Sequence, residues 1–158
     1  ESEMDKITLR QVTAEKWREA LELRVRPEQP RIVADYAPIA AIALAKTYIR
    51  PGGAIWTPYA IYAGVTMVGF LALVYEPDTA NQYWLFHFFI DQRFQGQGYG
   101  ELAIQRLIAL VRATHPQSRA LQLTTHPENA RAQRLYARVG FRPTGELLDG
   151  EPRFILRW

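Results

Sequence analysis

The stretch YWLFHFFIDQRFQGQGYG, residues 83–100, joins an almost continuously apolar run to a glycine-rich loop. Its first part, Tyr83–Ile90, has the length of a strand and predicts a central strand that is covered on both faces. The glycines of its last part, Gln95–Gly100, allow a tight turn and let the backbone come close to a ligand. We expect a helix to begin at residues 96–100. Its free N–H groups and its dipole would then form an anion site that suits a pyrophosphate.

Two nucleotide-binding motifs fit this loop poorly. A P-loop requires Gly-Lys-Ser/Thr after its second glycine, and no lysine occurs here. A dinucleotide fingerprint requires Gly or Ala at position 101, where Glu101 stands, and it usually follows the first strand, whereas this loop follows the fourth. Glycines that serve only as a turn remain an open alternative.

The rest of the chain predicts an α/β domain with a mixed sheet. Before the central strand we expect a strand at residues 7–12, a helix at 14–25 capped by Thr13, a helix at 31–48, and a hairpin of strands 58–63 and 67–75. After it we expect a helix to about residue 114, a strand at 120–125, a helix at 129–139, and a hairpin of strands 141–148 and 151–158 around Asp149-Gly150. The predicted order is βαα-ββ-βα-βα-ββ.

Composition limits the class of protein. The 158 residues suit one domain, which we assign to residues 4–158, with residues 1–3 set aside as a remnant of cloning. No cysteine is present, so disulfides and cysteine–zinc sites are excluded, and we expect a cytoplasmic protein without a metal. We see neither a signal peptide nor a membrane-spanning segment, since the longest apolar stretch, residues 32–49, is short and contains Asp35, Pro38 and Lys46.

The positive charge does not indicate a nucleic-acid binder. The formal charge is +3 and the predicted pI is about 9.3, with one basic cluster at Arg131, Arg134, Arg138 and Arg142. A nucleic-acid binder more often carries a longer basic stripe with interleaved aromatic residues. A small anionic ligand explains a cluster of this size equally well.

At this point the chain resembles a known family. Gln-x-x-Gly-x-Gly between a mid-chain strand and a long helix is similar to the acetyl-CoA pyrophosphate loop of the GNAT superfamily of N-acetyltransferases, and the run from Asn129 to Phe141 resembles that family's second motif. Residues 88–91 and 143–150 look most like those of bacterial spermine/spermidine acetyltransferases. The resemblance implies a single-domain GNAT fold: a mixed, mostly antiparallel seven-stranded sheet with a splayed parallel strand pair, and four helices.

The resemblance also implies a cofactor site for acetyl-CoA. The pyrophosphate would lie on the loop, and the cofactor arm would pair with the strand edge at Phe88, Phe89 and Ile90, where that strand diverges from its neighbour at residues 121–125. Asn129 would hydrogen-bond the same arm. The cofactor-binding residues predicted in this way are Phe88, Phe89, Ile90, Gln95, Gly96, Gln97, Gly98, Tyr99, Gly100, Asn129 and Tyr136. The strand's aromatic side chains could equally be core.

Acetyl transfer to an amine demands proton transfer. A primary amine has a pKa near 10.4, so about 1 in 2,500 molecules is neutral at pH 7, and deprotonation costs about 4.6 kcal/mol. We expect Tyr136 to protonate the leaving thiolate. A phenol stays protonated at pH 7, and the resemblance implies that the hydroxyl of Tyr136 faces the sulfur. Without the motif Tyr136 would be read as core. The general base is not assigned: the alternatives are His87, His126 and a chain of water in a desolvated pocket. His115 is predicted to lie on the surface.

The acceptor amine is the least defined part of the prediction. By resemblance, Glu28, between the first two helices, would hold a cationic acceptor, with Glu22, Tyr36 and His87 nearby. The alternative is that Glu28 is a solvated loop carboxylate. We expect a small-molecule amine, possibly a polyamine such as spermine or spermidine, and a homodimer by analogy with relatives. Alternatives are an acetyltransferase for a protein N-terminus, a lysine or an antibiotic amine, and an acyl-CoA-binding module without turnover.

Overall fold

The computed structural model describes residues 6–29 and 38–158 of the chain. The helices and strands among these residues are β1 (Ile7–Gln11), α1 (Trp17–Glu22), α2 (Ile39–Ile49), β2 (Ile55–Ala63), β3 (Thr66–Tyr75), β4 (Tyr83–Ile90), α3 (Tyr99–Thr114), β5 (Ala120–Thr124), α4 (Ala130–Val139), β6 (Arg142–Leu148) and β7 (Glu151–Arg157). Short 3₁₀ turns occupy Pro51–Gly53 and Gln92–Phe94. None of the helices in these described ranges is long and apolar enough to cross a membrane.

All seven strands form one sheet in the order β1-β2-β3-β4-β5-β7-β6. Every neighbouring pair is antiparallel except β4 and β5, which run parallel and share a single register pair, Trp84 opposite Gln122. Beyond that pair the two strands diverge toward their carboxyl ends. On its other edge β5 pairs with β7 along its whole length, Ala120–Thr124. The structure thereby confirms the predicted mixed, mostly antiparallel sheet with a splayed parallel pair and four helices.

The sheet carries an apolar core on each face. One core contains side chains of α3 and α4, with Leu107 fully buried and Tyr136 nearly so. The other contains side chains of α1 and α2, with Ala20 and Ala43 fully buried. Because helices cover both faces, the central strands β3 and β4 are apolar on both sides, as the run at residues 83–90 predicts.

A β-bulge in β4 bends the strand where the gap opens. Phe86 pairs with Ala72 and Phe89 pairs with Phe70, so two residues, His87 and Phe88, stand opposite Leu71. His87 has φ of +51°, a left-handed conformation that is uncommon for a residue with a side chain. An extra residue of this kind bends the bulged strand and increases its twist. The bulge therefore turns the second half of β4 away from β5.

The close approach of β3 to β4 after the bulge requires a glycine. A Cβ on Gly69 would lie 2.5 Å from the carbonyl oxygen of Phe89 and 3.0 Å from Cδ1 of Ile90. A backbone oxygen cannot move aside as a flexible side chain can. Gly69 therefore lets the bent end of β4 stay paired to β3.

The first helix is shorter than predicted, and Thr13 does not cap it. The expected range was residues 14–25, but α1 begins at Trp17, after a turn in which the Thr13 carbonyl accepts from the N–H groups of Lys16 and Trp17. At its other end Leu23 is extended, and the N–H of Arg24 donates to Asp91 Oδ2 at 2.8 Å. This tertiary hydrogen bond competes with the next helical bond and ends the helix.

The second predicted helix, residues 31–48, is confirmed only in its later part. The described portion begins at Ile39, directly after Pro38, whose carbonyl accepts from Ala41 and Ile42. Proline cannot continue a helix on its N-terminal side without losing a hydrogen bond, so it marks the start of α2. Residues 30–37, including Tyr36, lie outside the described residues.

Candidate functional site

Two clefts open beside the gap between β4 and β5, and they lie on opposite faces of the sheet. The first includes Phe88 and Ile90, which pack into the core under α3 and α4. The second includes Trp84 and Phe86, which pack into the core under α1 and α2. The residue between Phe86 and Phe88 is the bulge residue His87. The clefts therefore approach each other at the bulge.

The first cleft, which we call the arginine cleft, has a volume of about 430 Å³. It is lined by the second half of β4, the glycine loop, the first turns of α3 and α4, and two residues after α1: Val25, Gln29, Phe88–Ile90, Phe94–Gly96, Gly98–Glu101, Asn129, Arg131, Ala132, Arg134, Leu135 and Arg138. Most of the predicted cofactor residues line this cleft. Gln97 and Tyr136 do not, and Gln97 is exposed.

The glycine loop leaves backbone donors free at the mouth of the arginine cleft. Gly98 is the N-cap of α3 with φ of +81°, and no side chain caps the helix there. Gly96 also has φ of +81°, and a Cβ on either glycine would have no atom within 4 Å. The first N–H groups of a helix have no partner within the helix, so they can bind an anion in the cleft.

Gly100 has a different role, because it lets α3 approach α4. A Cβ at this position would lie 3.3 Å from Cδ2 of Leu135 and 3.5 Å from Cζ of Phe88. The first contact is tight, and the second is an ordinary van der Waals contact. Gly100 therefore keeps the two helix starts close enough together to share one cleft.

Gln95 connects three parts of the cleft wall. Its amide nitrogen donates to the Ile90 carbonyl at 2.9 Å and lies 3.2 Å from Gln29 Oε1, while its amide oxygen accepts from Arg131 at 3.4 Å. The side chain thus holds the end of β4 to the segment after α1 and to α4. Its contacts are those of a residue that positions the loop.

The basic cluster of the sequence is divided by the fold. Three of its members, Arg131, Arg134 and Arg138, lie on α4 and line the arginine cleft, whereas Arg142 belongs to β6 and does not. The single acidic residue of the lining, Glu101, lies 3.8 Å from Arg138. The cleft therefore keeps an excess of positive charge for an anionic ligand.

Asn129 and Tyr136, seven residues apart, lie in different surroundings. Asn129 is the non-helical N-cap, lines the arginine cleft, and accepts from the N–H of Ala132 at 3.2 Å. Tyr136 is buried in the core against Phe141 and Phe154, with ring centroids 5.8 and 6.5 Å away. Burial raises the pKa of Tyr136 far above its usual value, so its hydroxyl stays protonated throughout the neutral range.

Asp91, directly after β4, is a buried carboxylate that the sequence analysis did not single out. Its side chain accepts from the N–H of Arg24 at 2.8 Å, from the N–H of Arg93 at 3.0 Å, and from Arg93 Nε at 2.8 Å. Burial alone would raise its pKa, but these hydrogen bonds and the charge of Arg93 outweigh that effect and lower the pKa. The charged form of Asp91 therefore ties the end of α1 to the glycine loop.

His87 faces α2 rather than the arginine cleft. Its Nε2 lies 3.0 Å from Lys46 Nζ, and its ring packs 5.9 Å from that of Trp56. Burial, with a further contribution from the charge of Lys46, lowers the pKa of His87 to about 4. The imidazole is thus neutral at pH 7, with Nε2 directed at the ammonium of Lys46.

The second cleft, which we call the aromatic cleft, has a volume of about 500 Å³. It is lined by the turn after α2, the starts of β2 and β4, the end of β3, the end of β5 and the β6–β7 hairpin: Pro51, Gly52, Ala54, Trp56, Val74, Tyr75, Glu76, Gln82, Trp84, Phe86, Thr124, Leu148, Asp149 and Glu151. Among the residues that the structure describes, its charged members are three carboxylates, Glu76, Asp149 and Glu151, and none is a lysine, arginine or histidine.

The remaining predicted acceptor residues lie elsewhere. Glu22 is exposed at the end of α1 and Glu28 is exposed in the turn that follows, and neither lines either cleft. His126 accepts from the N–H of Glu128 at 3.1 Å through its own Nδ1. His115 is not a surface residue as expected, because its ring packs 4.5 Å from Tyr75 and 5.3 Å from Tyr83, which leaves it half-buried.

The comparison with protein families identifies the chain. Residues 12–141 match the model of the Acetyltransferase (GNAT) family. This match covers most of the chain, and the protein belongs to that family.

Relatives by sequence are bacterial acetyltransferases. The chain is 36% identical over 102 residues to a spermine/spermidine N(1)-acetyltransferase of Bacillus subtilis (strain 168) and 35% identical over 102 residues to a probable spermine N(1)-acetyltransferase of Bacillus subtilis subsp. natto. Each match covers 61% of this chain and 66% of the relative, just under two thirds of its length.

Solved structures with a similar fold differ in what they act on. A spermidine N-acetyltransferase from Vibrio cholerae, in complex with CoA and spermine, superposes with a TM-score of 0.74 at 16% identity, over 97% of this chain and 96% of the other. The aminoglycoside acetyltransferase AAC(6')-Ib, in complex with coenzyme A, gives 0.75 at 19%, over 96% and 94%. At these identities the likeness concerns the fold.

Proposed function

We propose that the protein is an acetyl-CoA-dependent N-acetyltransferase that acts on a primary amine. The observation that carries this proposal is the position of the arginine cleft, where free α3 N–H groups and three arginines lie beside the unpaired edge of β4. Such a cleft suits a ligand with phosphates at one end and an amide-bearing arm at the other. Membership of the GNAT family and the names of the relatives support the same activity.

The residues of the chain fit acetyl-CoA. Gly96, Gly98 and the first amides of α3 would hold the pyrophosphate, since no side chain occupies that position. Arg131 and Arg134 would add charge for the phosphates. The backbone groups of Phe88–Ile90 that face β5 have no strand partner in the described sheet, and they would pair with amides of the arm as another strand does.

Acetyl-CoA supplies an acetyl thioester, whose carbonyl carbon forms a bond to the amine nitrogen while its bond to sulfur breaks. A β4 backbone N–H near Phe88 would donate to the carbonyl oxygen as negative charge develops there. By resemblance, Tyr136 would donate its hydroxyl proton to the sulfur; the role requires this buried hydroxyl, which lines neither cleft, to reach the thioester. The base is not assigned to His87, whose Nε2 faces Lys46.

For the acceptor we propose a polyamine such as spermine or spermidine. The names of the Bacillus subtilis relatives support this choice, although structures of similar fold include proteins named for aminoglycosides and for a ribosomal protein N-terminus. A single domain over residues 4–158, a cytoplasmic location and a homodimer remain predictions of the sequence analysis.

The test is CoA thiol release from acetyl-CoA with a panel of acceptors: spermine, spermidine, a lysine peptide, a peptide with a free N-terminus, and an aminoglycoside. We expect turnover with the polyamines and much slower turnover with the other acceptors. Binding of acetyl-CoA with no turnover on any amine would reject the enzyme and leave an acyl-CoA-binding module. Preference for a peptide or an aminoglycoside would keep the enzyme and reject the polyamine.

A further inference from the structure

The aromatic cleft combines apolar walls with acidic ends. Trp56, Trp84 and Phe86 form a wall in which the Trp56 and Phe86 rings lie 5.4 Å apart and those of Trp84 and Phe86 lie 6.2 Å apart. Trp56 is 7% exposed, and its indole N–H is buried without a hydrogen-bond partner among the described residues. A buried donor of this kind costs free energy unless an acceptor reaches it, and in an amine ligand only an uncharged nitrogen has the lone pair that can accept.

Three carboxylates at the cleft are uncompensated by the protein. Glu76 and Asp149 are exposed and Glu151 is half-buried, and none of them forms an ion pair within residues 6–29 and 38–158. The nearest arginine of the hairpin, Arg153, is held by Glu146 and Gln122 instead. In a chain with a formal charge of +3, a cleft whose charged lining residues are all acidic favours a cationic ligand.

Two cations of the protein itself lie against rings of the cleft wall. Lys46 Nζ lies 5.0 Å from the ring centre of Trp56, and the guanidinium carbon of Arg153 lies 5.6 Å from that of Trp84. Tryptophan faces attract ammonium groups at such distances, while methylene groups pack against the same rings. An alkylammonium chain offers both kinds of group.

The carboxylates are spread along the cleft rather than gathered at one point. In the part of the chain that the structure describes, no group of three His, Cys, Asp or Glu side chains is close enough to hold a metal ion. Glu76 follows β3, while Asp149 and Glu151 belong to the β6–β7 hairpin. This arrangement matches separated positive charges on an extended ligand.

The cleft ends at the place where transfer would occur. Phe86 precedes the bulge of β4, and Thr124 is the last residue of β5, so both border the gap between the two strands. A ligand that lies along the aromatic wall therefore reaches the gap from the face opposite the arginine cleft.

From this geometry we propose that the aromatic cleft binds the acceptor, and that it selects amines carrying a second positive charge on an alkyl chain. The reacting nitrogen lies toward Phe86 and Thr124, and the chain packs on the tryptophans. A distant ammonium lies either at Glu76 or at the hairpin carboxylates Asp149 and Glu151. This inference rests on the proposed function and refines it. It replaces Glu22 and Glu28 as the acceptor carboxylates.

The test compares 1,4-diaminobutane with butylamine, which has the same carbon chain and one charge. The variant Glu76→Gln/Asp149→Asn/Glu151→Gln removes the three charges with little change of shape, and asparagine suits the φ of +50° at position 149. We expect KM for the diamine to rise about tenfold or more, with KM for butylamine and acetyl-CoA within about twofold of wild type. Glu15→Gln, an exposed carboxylate that lines neither cleft, is the matched control.

A second variant, Glu22→Gln/Glu28→Gln, tests the rival location. An increase of the diamine KM in this variant and not in the triple variant would overturn the inference, as would equal changes for the diamine and butylamine. If the wild-type protein acetylates no amine, the proposed function fails. In that case, calorimetric titration of 1,4-diaminobutane into the wild type and the variants tests the inference separately from the enzyme activity. Loss of binding in the triple variant would support the inference, and unchanged binding would reject it.

Discussion

The two clefts beside the β4–β5 gap are similar in volume and opposite in charge. The arginine cleft, about 430 Å³, has three arginines and one glutamate in its lining, and the aromatic cleft, about 500 Å³, has three carboxylates and no cationic residue. One strand supplies residues to both, because the bulge at His87 shifts its alternation: Trp84 and Phe86 lie on one face of the sheet, and Phe88 and Ile90 lie on the other. The difference shows that the net charge of a chain does not predict the charge of its ligand. In this protein of formal charge +3, a basic cleft and an acidic cleft lie on opposite faces of one sheet.

The largest expected effect concerns the proposed proton donor. Tyr136→Phe should lower kcat about 100-fold and leave acetyl-CoA affinity within about twofold, because only the proton donor is removed. Its hydroxyl has no hydrogen bond to another described residue, so the fold should tolerate the change. Steady-state kinetics and calorimetric titration with acetyl-CoA measure the two quantities.

Tyr59→Phe is the matched control for this prediction. Tyr59 is buried in the same core cluster as Tyr136, but it belongs to β2, away from the β4–β5 gap. Its replacement should leave kcat unchanged. Unchanged kcat in Tyr136→Phe as well would remove the phenol from the reaction and leave it a core residue.

The second prediction concerns the bulge that separates the clefts. The pKa of His87 is lowered from 6.5 to about 4, so below pH 6.5 the unfolded chain binds a proton that the folded protein does not. The free energy of unfolding should therefore fall as pH falls from 6.5 toward 4, by about 2 kcal/mol between pH 7.5 and pH 5. Urea unfolding at the two pH values measures it.

The variant His87→Asn isolates this contribution, because asparagine does not titrate and tolerates positive φ. We expect the loss of stability between pH 7.5 and pH 5 to be smaller in the variant by about the same 2 kcal/mol. An identical pH dependence in both proteins would show that His87 titrates normally and that burial at the bulge is weaker than the geometry indicates.

The smallest effect tests the arginine cleft against the rest of the basic cluster. Arg131→Gln/Arg134→Gln should raise KM for acetyl-CoA about tenfold and leave KM for the amine unchanged, since exposed charge pairs contribute about 1 kcal/mol or less each. The effect should shrink as salt is added. The double variant Arg142→Gln/Arg157→Gln removes the same charge outside the cleft, and an equal rise there would mean that net charge rather than the cleft attracts the cofactor.

The sheet could be predicted from the sequence because its signals are local. Each strand, helix start or hairpin is indicated by residues within it or next to it, as in the apolar run 83–90, the glycine loop and the Asp149-Gly150 turn. Helix α1 was predicted too long, because its end depends on a hydrogen bond from Arg24 to Asp91, 67 residues away. The bulge was missed because an apolar run on a strand buried on both faces looks the same with or without an extra residue.

The two clefts differed in how far their residues could be predicted from the sequence. The arginine cleft draws on two continuous segments, residues 94–101 and 129–138, so its residues could be named in advance. The carboxylates of the aromatic cleft come from turns far apart in the chain, and in the sequence Glu76 and Asp149 indicate turns and nothing more. Their meeting depends on β7 lying between β5 and β6, which only the assembled sheet provides.

The bulge at His87 has a consequence for how such a sheet could arise in evolution. If His87 were deleted, Phe88, Phe89 and Ile90 would keep their present partners on β3 and their present faces, because His87 is the extra residue opposite Leu71. The bend in β4 would be lost, and β4 could continue to pair with β5. The loss or gain of a single codon could therefore separate a closed sheet from one that is open between two clefts, with the neighbouring strand residues kept on their present faces and only the contacts of His87 with Trp56, Phe86 and Lys46 changed.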